Sequence, residues 1–198
     1  MNFWDERYRN SEYIYGTHPN VFFREELLKI PPGILFLPAE GEGRNALFAL
    51  ENNWNVEAID SSMEAHKKTL KRCQKYASKL NYQVHNLEEF DYPHEKYDAI
   101  SLIYVHFDSD LRTKIHSHIV SSLKPGGTLI LEAFSKEQIE FSSGGPKSIN
   151  KLYSLNEILE DFESLQVVYA DVLKTNLKEG KHHHGEASVV RFVGKKSE

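Results

Sequence analysis

The run Ile34-Leu35-Phe36-Leu37, followed by Pro38-Ala39-Glu40-Gly41-Glu42-Gly43-Arg44-Asn45-Ala46, constrains the fold more than any other stretch of this chain. Four consecutive apolar residues read as a buried strand, and the two alternate glycines permit the sharp turn that carries the backbone straight into a helical pattern. A strand buried on both faces and answered at once by a helix is the opening unit of a parallel sheet.

The remaining sequence repeats that unit. Asn20 to Ile30 has apolar residues at helical spacing (Val21, Leu27, Leu28) and is stopped by Pro31-Pro32-Gly33. After the first strand, Gly43 to Asn52 reads as a helix, Val56 to Ile59 as a second strand, and Ser61 to Leu80 as a long helix capped by Ser61 or Ser62. Tyr82 to Val84 and Asp98 to Tyr104 supply strands three and four. Asp110 to Leu123 supplies a helix, and Thr128 to Ala133 a fifth strand entered through Lys124-Pro125-Gly126-Gly127. Ser143-Gly144-Gly145-Pro146 is a loop, and Ser154-Leu155-Asn156-Glu157 is a capping box opening a helix to about Phe162. Leu165 to Val172 and Ala187 to Val193 then read as an antiparallel pair separated by a polar loop, Lys174 to Glu186. The expected fold is α/β: a Rossmann-like, doubly wound, seven-stranded and mostly parallel sheet ending in an antiparallel β-hairpin. Its ligand is expected outside the carboxyl ends of strands one and four. A length of 198 residues suits a single domain, 1–198, with residues 1–30 as a leading helix and lid segment.

The acid in the turn narrows the ligand. Gly41, Gly43 and Ala46 satisfy the glycine spacing of dinucleotide sites, where a helix N-terminus receives a pyrophosphate. Glu40 would repel that anion. S-adenosylmethionine (SAM) has no phosphate and carries an ammonium and a sulfonium, so an acidic turn suits it better. Asp60 ends the second strand twenty positions after Glu40, where a doubly wound fold places an acid for the two ribose hydroxyls. Asn86-Leu87, after strand three, offers an amide and an apolar edge to adenine, or is simply a turn. An NAD(P)-dependent oxidoreductase and a non-catalytic SAM- or nucleotide-binding protein remain open beside a methyltransferase.

Taken in order, Leu37-Pro38-Ala39-Glu40-Gly41-Glu42-Gly43-Arg44-Asn45, Ala58-Ile59-Asp60, Lys96-Tyr97-Asp98, Leu123-Lys124-Pro125-Gly126-Gly127 and Gly144-Gly145-Pro146-Lys147 resemble the class I SAM-dependent methyltransferases. With Trp4-Asp5-Glu6-Arg7-Tyr8, Tyr15-Gly16 and His184-Gly185, the chain is most similar to their small bacterial branch related to tellurite-resistance and thiopurine-type enzymes. The resemblance implies that Glu40 and the glycine turn hold the methionine part of SAM, Asp60 the ribose and Asn86-Leu87 the adenine. It also implies that the N-terminal segment folds over the cofactor. Glu42, Asn45 and Ser61 beside these positions, with Tyr15 and Tyr104, complete the candidate cofactor set. Glu42 departs from the small or neutral residue that many of these enzymes carry between the glycines.

Methyl transfer is an in-line displacement that needs orientation and dryness, and a base only where the nucleophile arrives protonated. His106, just past strand four, either deprotonates or orients an acceptor or is a satisfied buried histidine. His184, beside Gly185, is the pocket candidate of the His182-His183-His184 run, the other two reading as surface-loop residues. Three adjacent residues point to alternate faces, so no metal site is expected there. Tyr15, with Gly16 as hinge, is the lid candidate, aromatic faces being attractive to a sulfonium.

The acceptor is expected to be a small molecule. A net charge of −5 gives no general attraction to nucleic acid or anionic lipid, and the Lys67, Lys71, Lys75, Lys79 stripe reads as a solvated face. Strand four ends Tyr104-Val105-His106-Phe107, unlike the Asn/Asp-Pro-Pro-aromatic motif of amino-methylases. No apolar run reaches membrane-spanning length, no signal-peptide core is present, and one cysteine, Cys73, excludes an internal disulfide framework. A cytoplasmic location follows by default, and oligomeric state is open.

Overall fold

The computed structural model describes residues 3–9 and 12–198. Seven strands form one sheet in the order β3-β2-β1-β4-β5-β7-β6. The strands are β1 (Ile34–Pro38), β2 (Asn55–Asp60), β3 (Leu80–Val84), β4 (Tyr97–Ile103), β5 (Leu123–Phe134), β6 (Gln166–Lys178) and β7 (His184–Lys195). Helices α1 (Phe3–Tyr8), α2 (Val21–Leu27), α3 (Arg44–Glu51), α4 (Met63–Arg72), α5 (Ser109–Ser122) and α6 (Leu155–Asp161) connect or flank them. Strands β1 to β5 pair in parallel, while β7 runs antiparallel to both β5 and β6. This is the Rossmann-like, doubly wound fold that the strand and helix pattern predicts. The strand order reverses between β1 and β4, and that reversal opens a crevice at their carboxyl ends.

Alternation along β1 divides the core. Phe36 stacks on Tyr97 and Phe90 on the face that also holds Ile100, Ile115, Ile119 and Phe162. Leu35 and Leu37 face the other way, onto Phe23, Leu27, Ala46, Leu50 and Trp54. Helix α3 begins at Gly43, whose φ of 80° a side chain would resist and whose missing Cβ leaves room for Thr69. Ser62 caps α4 by accepting a hydrogen bond from the Ala65 N–H, and the Ser154/Glu157 capping box opens α6 as its sequence predicts.

Three expectations are corrected. The long helix read over Ser61 to Leu80 ends at Cys73, which turns into the core. A 3₁₀ segment, Gln74–Lys79, follows, with Tyr76 at non-helical φ −114°. Lys67, Lys71, Lys75 and Lys79 are all exposed. In the leading helix Val21 and Leu28 lie in solvent, and Phe22, Phe23 and Leu27 make the buried face instead. The polar loop read over Lys174 to Glu186 is mostly strand: β6 and β7 stay paired out to Lys178 and His184, so the hairpin projects past the sheet's carboxyl edge.

Among the described residues, no helix is long and apolar enough to cross a membrane, and no group of three metal-ligating side chains occurs.

Candidate active site

A cavity of about 790 Å³ lies over the carboxyl ends of β1, β2 and β4, roofed by the N-terminal segment and the β6–β7 tip. Two non-glycine residues in left-handed backbone conformation border it: Ala39 (φ 52°) after β1 and Tyr104 (φ 56°) after β4. Each costs on the order of 1 kcal/mol, and such strain concentrates where a site requires it.

The glycine turn is held from three sides. Its Gly41 N–H donates to Asp60 Oδ2 at 3.0 Å, while the Gly41 carbonyl accepts from Tyr82 Oη (2.8 Å) and Thr69 Oγ1 (3.0 Å). A Cβ on Gly41 would come within 2.9 Å of the Tyr8 hydroxyl, so the N-terminal helix packs directly on the bare turn. Glu40 is buried and accepts from the Ala46 N–H at 2.7 Å, and burial pushes its carboxyl up to about 7. Asp60 accepts from the Ser62 N–H at 2.9 Å, and burial raises it to about 6. Two carboxyls kept at this cost, both lining the cavity, suit a ligand that brings positive charge and hydroxyl donors. Ser101 adds a second sign: its hydroxyl lines the same cavity, is buried and has no hydrogen-bond partner among the described residues. SAM fits this donor and acceptor set, whereas a pyrophosphate would meet Glu40.

Glu42 has a different role from the glycine-turn acids. Its Oε2 accepts from the Ile14 N–H (2.8 Å), tying the N-terminal segment to the turn, and its Oε1 accepts from Lys68 Nζ of α4 (2.6 Å), which also donates to the Glu12 carbonyl. Asn45 likewise gives its carbonyl oxygen to the Asn20 N–H at 3.0 Å. Ser61, Asn86 and Leu87 line the cavity at the ends of β2 and β3. Ser61 and Asn86 are exposed, and the Asn86 side chain accepts from the Glu88 N–H. Tyr15 lies across the cavity with its hydroxyl accepting from Arg7 Nη1 (2.9 Å) and its ring 4.6 Å from that of His183. Gly16 beside it has φ 79°. Tyr104 donates its hydroxyl to Glu132 Oε1 at 2.8 Å and stacks on Phe134.

The two histidines singled out for chemistry stand differently from expectation. His106 Nδ1 lies 2.7 Å from the Lys151 carbonyl, which only accepts, so that nitrogen carries the proton. Its Nε2 accepts from the Phe134 N–H at 3.2 Å. Both nitrogens are spent on backbone, and burial pushes the imidazole down to about 4. His106 therefore positions the Tyr104–Phe107 turn and has no lone pair to offer an acceptor. His184 opens β7 at the cavity mouth with an exposed side chain. The buried member of the histidine run is His183, one position earlier, which the sequence reading left on the surface.

Five polar residues missed by that reading join the roof to the sheet. Asn20 Nδ2 donates to Glu132 Oε1 (2.6 Å) and Glu179 Oε1 (3.0 Å). Arg44 bridges to Glu179 Oε2 at 2.7 Å and donates to the Tyr15 carbonyl at 3.1 Å. Arg191 Nε meets Glu132 Oε2 at 2.5 Å. One signal was available: Glu132 is a lone acid within Leu129-Ile130-Leu131-Glu132-Ala133-Phe134, where a buried charge demands partners.

Residues 39–127 match the family model of the methyltransferase domain. No curated protein matches the sequence. Among solved structures, one from the study of the conversion of a disulfide bond into a thioacetal group during echinomycin biosynthesis is 14% identical. It has a TM-score of 0.78 over 98% of this chain and 90% of its own. TehB from Haemophilus influenzae is 15% identical at TM-score 0.72, over 98% of this chain and 66% of its own. The 1,6-didemethyltoxoflavin-N1-methyltransferase of Burkholderia thailandensis, solved with S-adenosylhomocysteine, is 16% identical at TM-score 0.64, over 88% of this chain and 75% of its own. With 1140 solved chains matching, the fold by itself selects no acceptor.

Proposed function

We propose that this chain, a SAM-dependent methyltransferase by the domain in its residues 39–127 and the fold around it, methylates a small-molecule acceptor and does so as a single domain with residues 1–30 as its lid. When bound, SAM supplies a methyl group on a sulfonium, open to in-line displacement. The observation that carries the reading is the cavity's charge pattern: Glu40 and Asp60, raised by burial, line it together with a Ser101 hydroxyl that has no hydrogen-bond partner among the described residues.

The residues divide the work by position. Glu40 and the Gly41–Gly43 turn face the methionine end, Asp60 the ribose, and Asn86 with Leu87 the adenine. Tyr15 and Tyr104 close over the reacting end, where aromatic faces favour a cation and exclude water. Glu42 and Asn45 act one step removed, fastening the segment that carries Tyr15. A cavity of this size and enclosure suits a small acceptor.

Thermal unfolding with added ligand tests the cofactor. S-adenosylhomocysteine at a hundred times its Kd adds about 2.7 kcal/mol to the native state by mass action, a rise of several degrees in Tm. The same excess of NADH should leave Tm unchanged; stabilisation by NADH alone would reverse the assignment.

A further inference from the structure

His183 is 7% exposed, lines the cavity, and has a buried Nδ1 with no hydrogen-bond partner among the described residues. Its ring is boxed by Tyr104 (4.5 Å between centroids), Tyr15 (4.6 Å) and Phe134 (5.2 Å), the residues at the reacting end. Glu179 Oε2 lies 3.9 Å from Nδ1, just beyond hydrogen-bond reach and on the side away from the cavity. A small rotation of the Glu179 or His183 side chain completes an Nδ1–H to carboxylate bond, which fixes the tautomer and leaves the Nε2 lone pair to the cavity. His106 has no such freedom, as both its nitrogens are engaged.

We infer that His183, oriented by Glu179, is the proton acceptor of this site, and that the acceptor molecule arrives carrying its proton on the nucleophilic atom. The inference rests on the methyl-transfer reading above. As the nucleophile's X–H bond breaks, the proton passes to His183 Nε2 and the bonding electron pair forms the new bond to the methyl carbon. The carbon–sulfur bond breaks with its electrons remaining on sulfur. Methylated acceptor and S-adenosylhomocysteine leave, and the imidazolium returns its proton to water. Burial holds the His183 imidazole below its ordinary range; among the charged and titratable groups facing it, Glu179 favours the imidazolium, and Arg44, His182 and His106 oppose it. Tyr15 and Tyr104 stay neutral, burial holding both hydroxyls above their ordinary range.

Two measurements decide it. Diethyl pyrocarbonate acylates an imidazole only at an open, unprotonated nitrogen, so peptide mapping of the treated protein at neutral pH should find His183 modified and His106 untouched. S-adenosylhomocysteine should protect His183. An unreactive His183 in the ligand-free protein overturns the open Nε2.

The second measurement compares 4-nitrothiophenol, ionised at neutral pH, with benzyl mercaptan, protonated there. His183→Gln should lower kcat/KM for benzyl mercaptan about a hundredfold, the usual contribution of a positioned base, and change that for 4-nitrothiophenol less than threefold. Equal losses for the two thiols overturn a base role, as does wild-type turnover of 4-nitrothiophenol alone or of neither thiol. Any of these leaves SAM binding intact. Loss of that binding, read by S-adenosylhomocysteine melting shifts, is what would instead remove the methyltransferase reading.

Discussion

At the scale of single residues, Glu40 shows how function is built against stability. Its carboxyl rises from an unfolded value near 4.5 to about 7 on burial, so the native state holds a proton that the unfolded chain has lost. A shift of that size corresponds to roughly 3 kcal/mol of stability absent once the group is ionised. Glu40→Gln keeps an oxygen for the Ala46 N–H and removes the buried acid. The expected outcome at pH 8 is a raised Tm together with SAM affinity at least tenfold weaker by calorimetry, a combination that a merely structural Glu40 would not give. Glu40 and Asp60 were legible in the sequence because a glycine turn and a strand end dictate their position locally. His106 was not: its two partners are backbone groups of Lys151 and Phe134, and no residue type signals a carbonyl that arrives from 45 residues away.

Among elements, the β6–β7 hairpin decides how the site is closed. Between Lys174 and Lys178 one face is exposed at Lys174, Asn176 and Lys178, while the other turns Thr175, Leu177 and then Glu179 inward; only Leu177 of these is apolar, so there is no hydrophobic period to reveal a strand. Backbone pairing alone extends it. At its tip Gly180 has φ 77°, and an added Cβ would lie 2.1 Å from the Ile14 carbonyl, which accepts from the Lys181 N–H. Gly180→Ala is therefore expected to separate tip and N-terminal segment. Limited proteolysis should cut before residue 20 at least tenfold faster, KM for SAM should rise, and the sheet should retain its far-ultraviolet dichroism. The central strands β1 and β4, in contrast, were readable from their apolar runs because two-sided burial leaves no polar alternation to confuse them.

For the whole molecule, the carboxyls set the response to pH, and the sign follows from which state holds more protons. Glu40 and Asp60 have folded values near 7 and 6, above their unfolded values, so their stabilisation is full below about pH 4 and is lost as pH rises through 6 to 7. Glu157 works in the opposite direction, since Lys136, Ser154 and Arg112 outweigh its burial and hold it down to about 2. Its contribution fails only below pH 4.5, so the two windows do not overlap. Buried His106, held down to about 4, and His116 and His183, also lowered by burial, work against the acids below pH 6.5, so the acids dominate only above it. Urea unfolding of the ligand-free protein is expected to give a lower midpoint at pH 8 than at pH 6.5, and saturating SAM should flatten that slope by favouring the ionised acids. A midpoint that rises across this range would contradict the buried-acid account. The seven-stranded, mostly parallel sheet was readable as a whole from strand and helix alternation, whereas the Asn20–Glu132–Glu179–Arg44 roof was not. It joins positions as much as 159 residues apart, beyond any local pattern.

That separation carries a consequence for how the protein is made. Glu179, which ties Asn20 and Arg44 together, is synthesised long after the glycine turn and most of the parallel sheet. A growing chain on the ribosome can therefore pair β1 to β5 while the crevice still stands open to water. The pocket becomes enclosed only when the hairpin turns at Gly180 and brings Glu179 back to Asn20. Affinity for the cofactor is thus acquired only once the hairpin has been made, which makes its appearance a late reporter that sheet and roof have come together in the right shape.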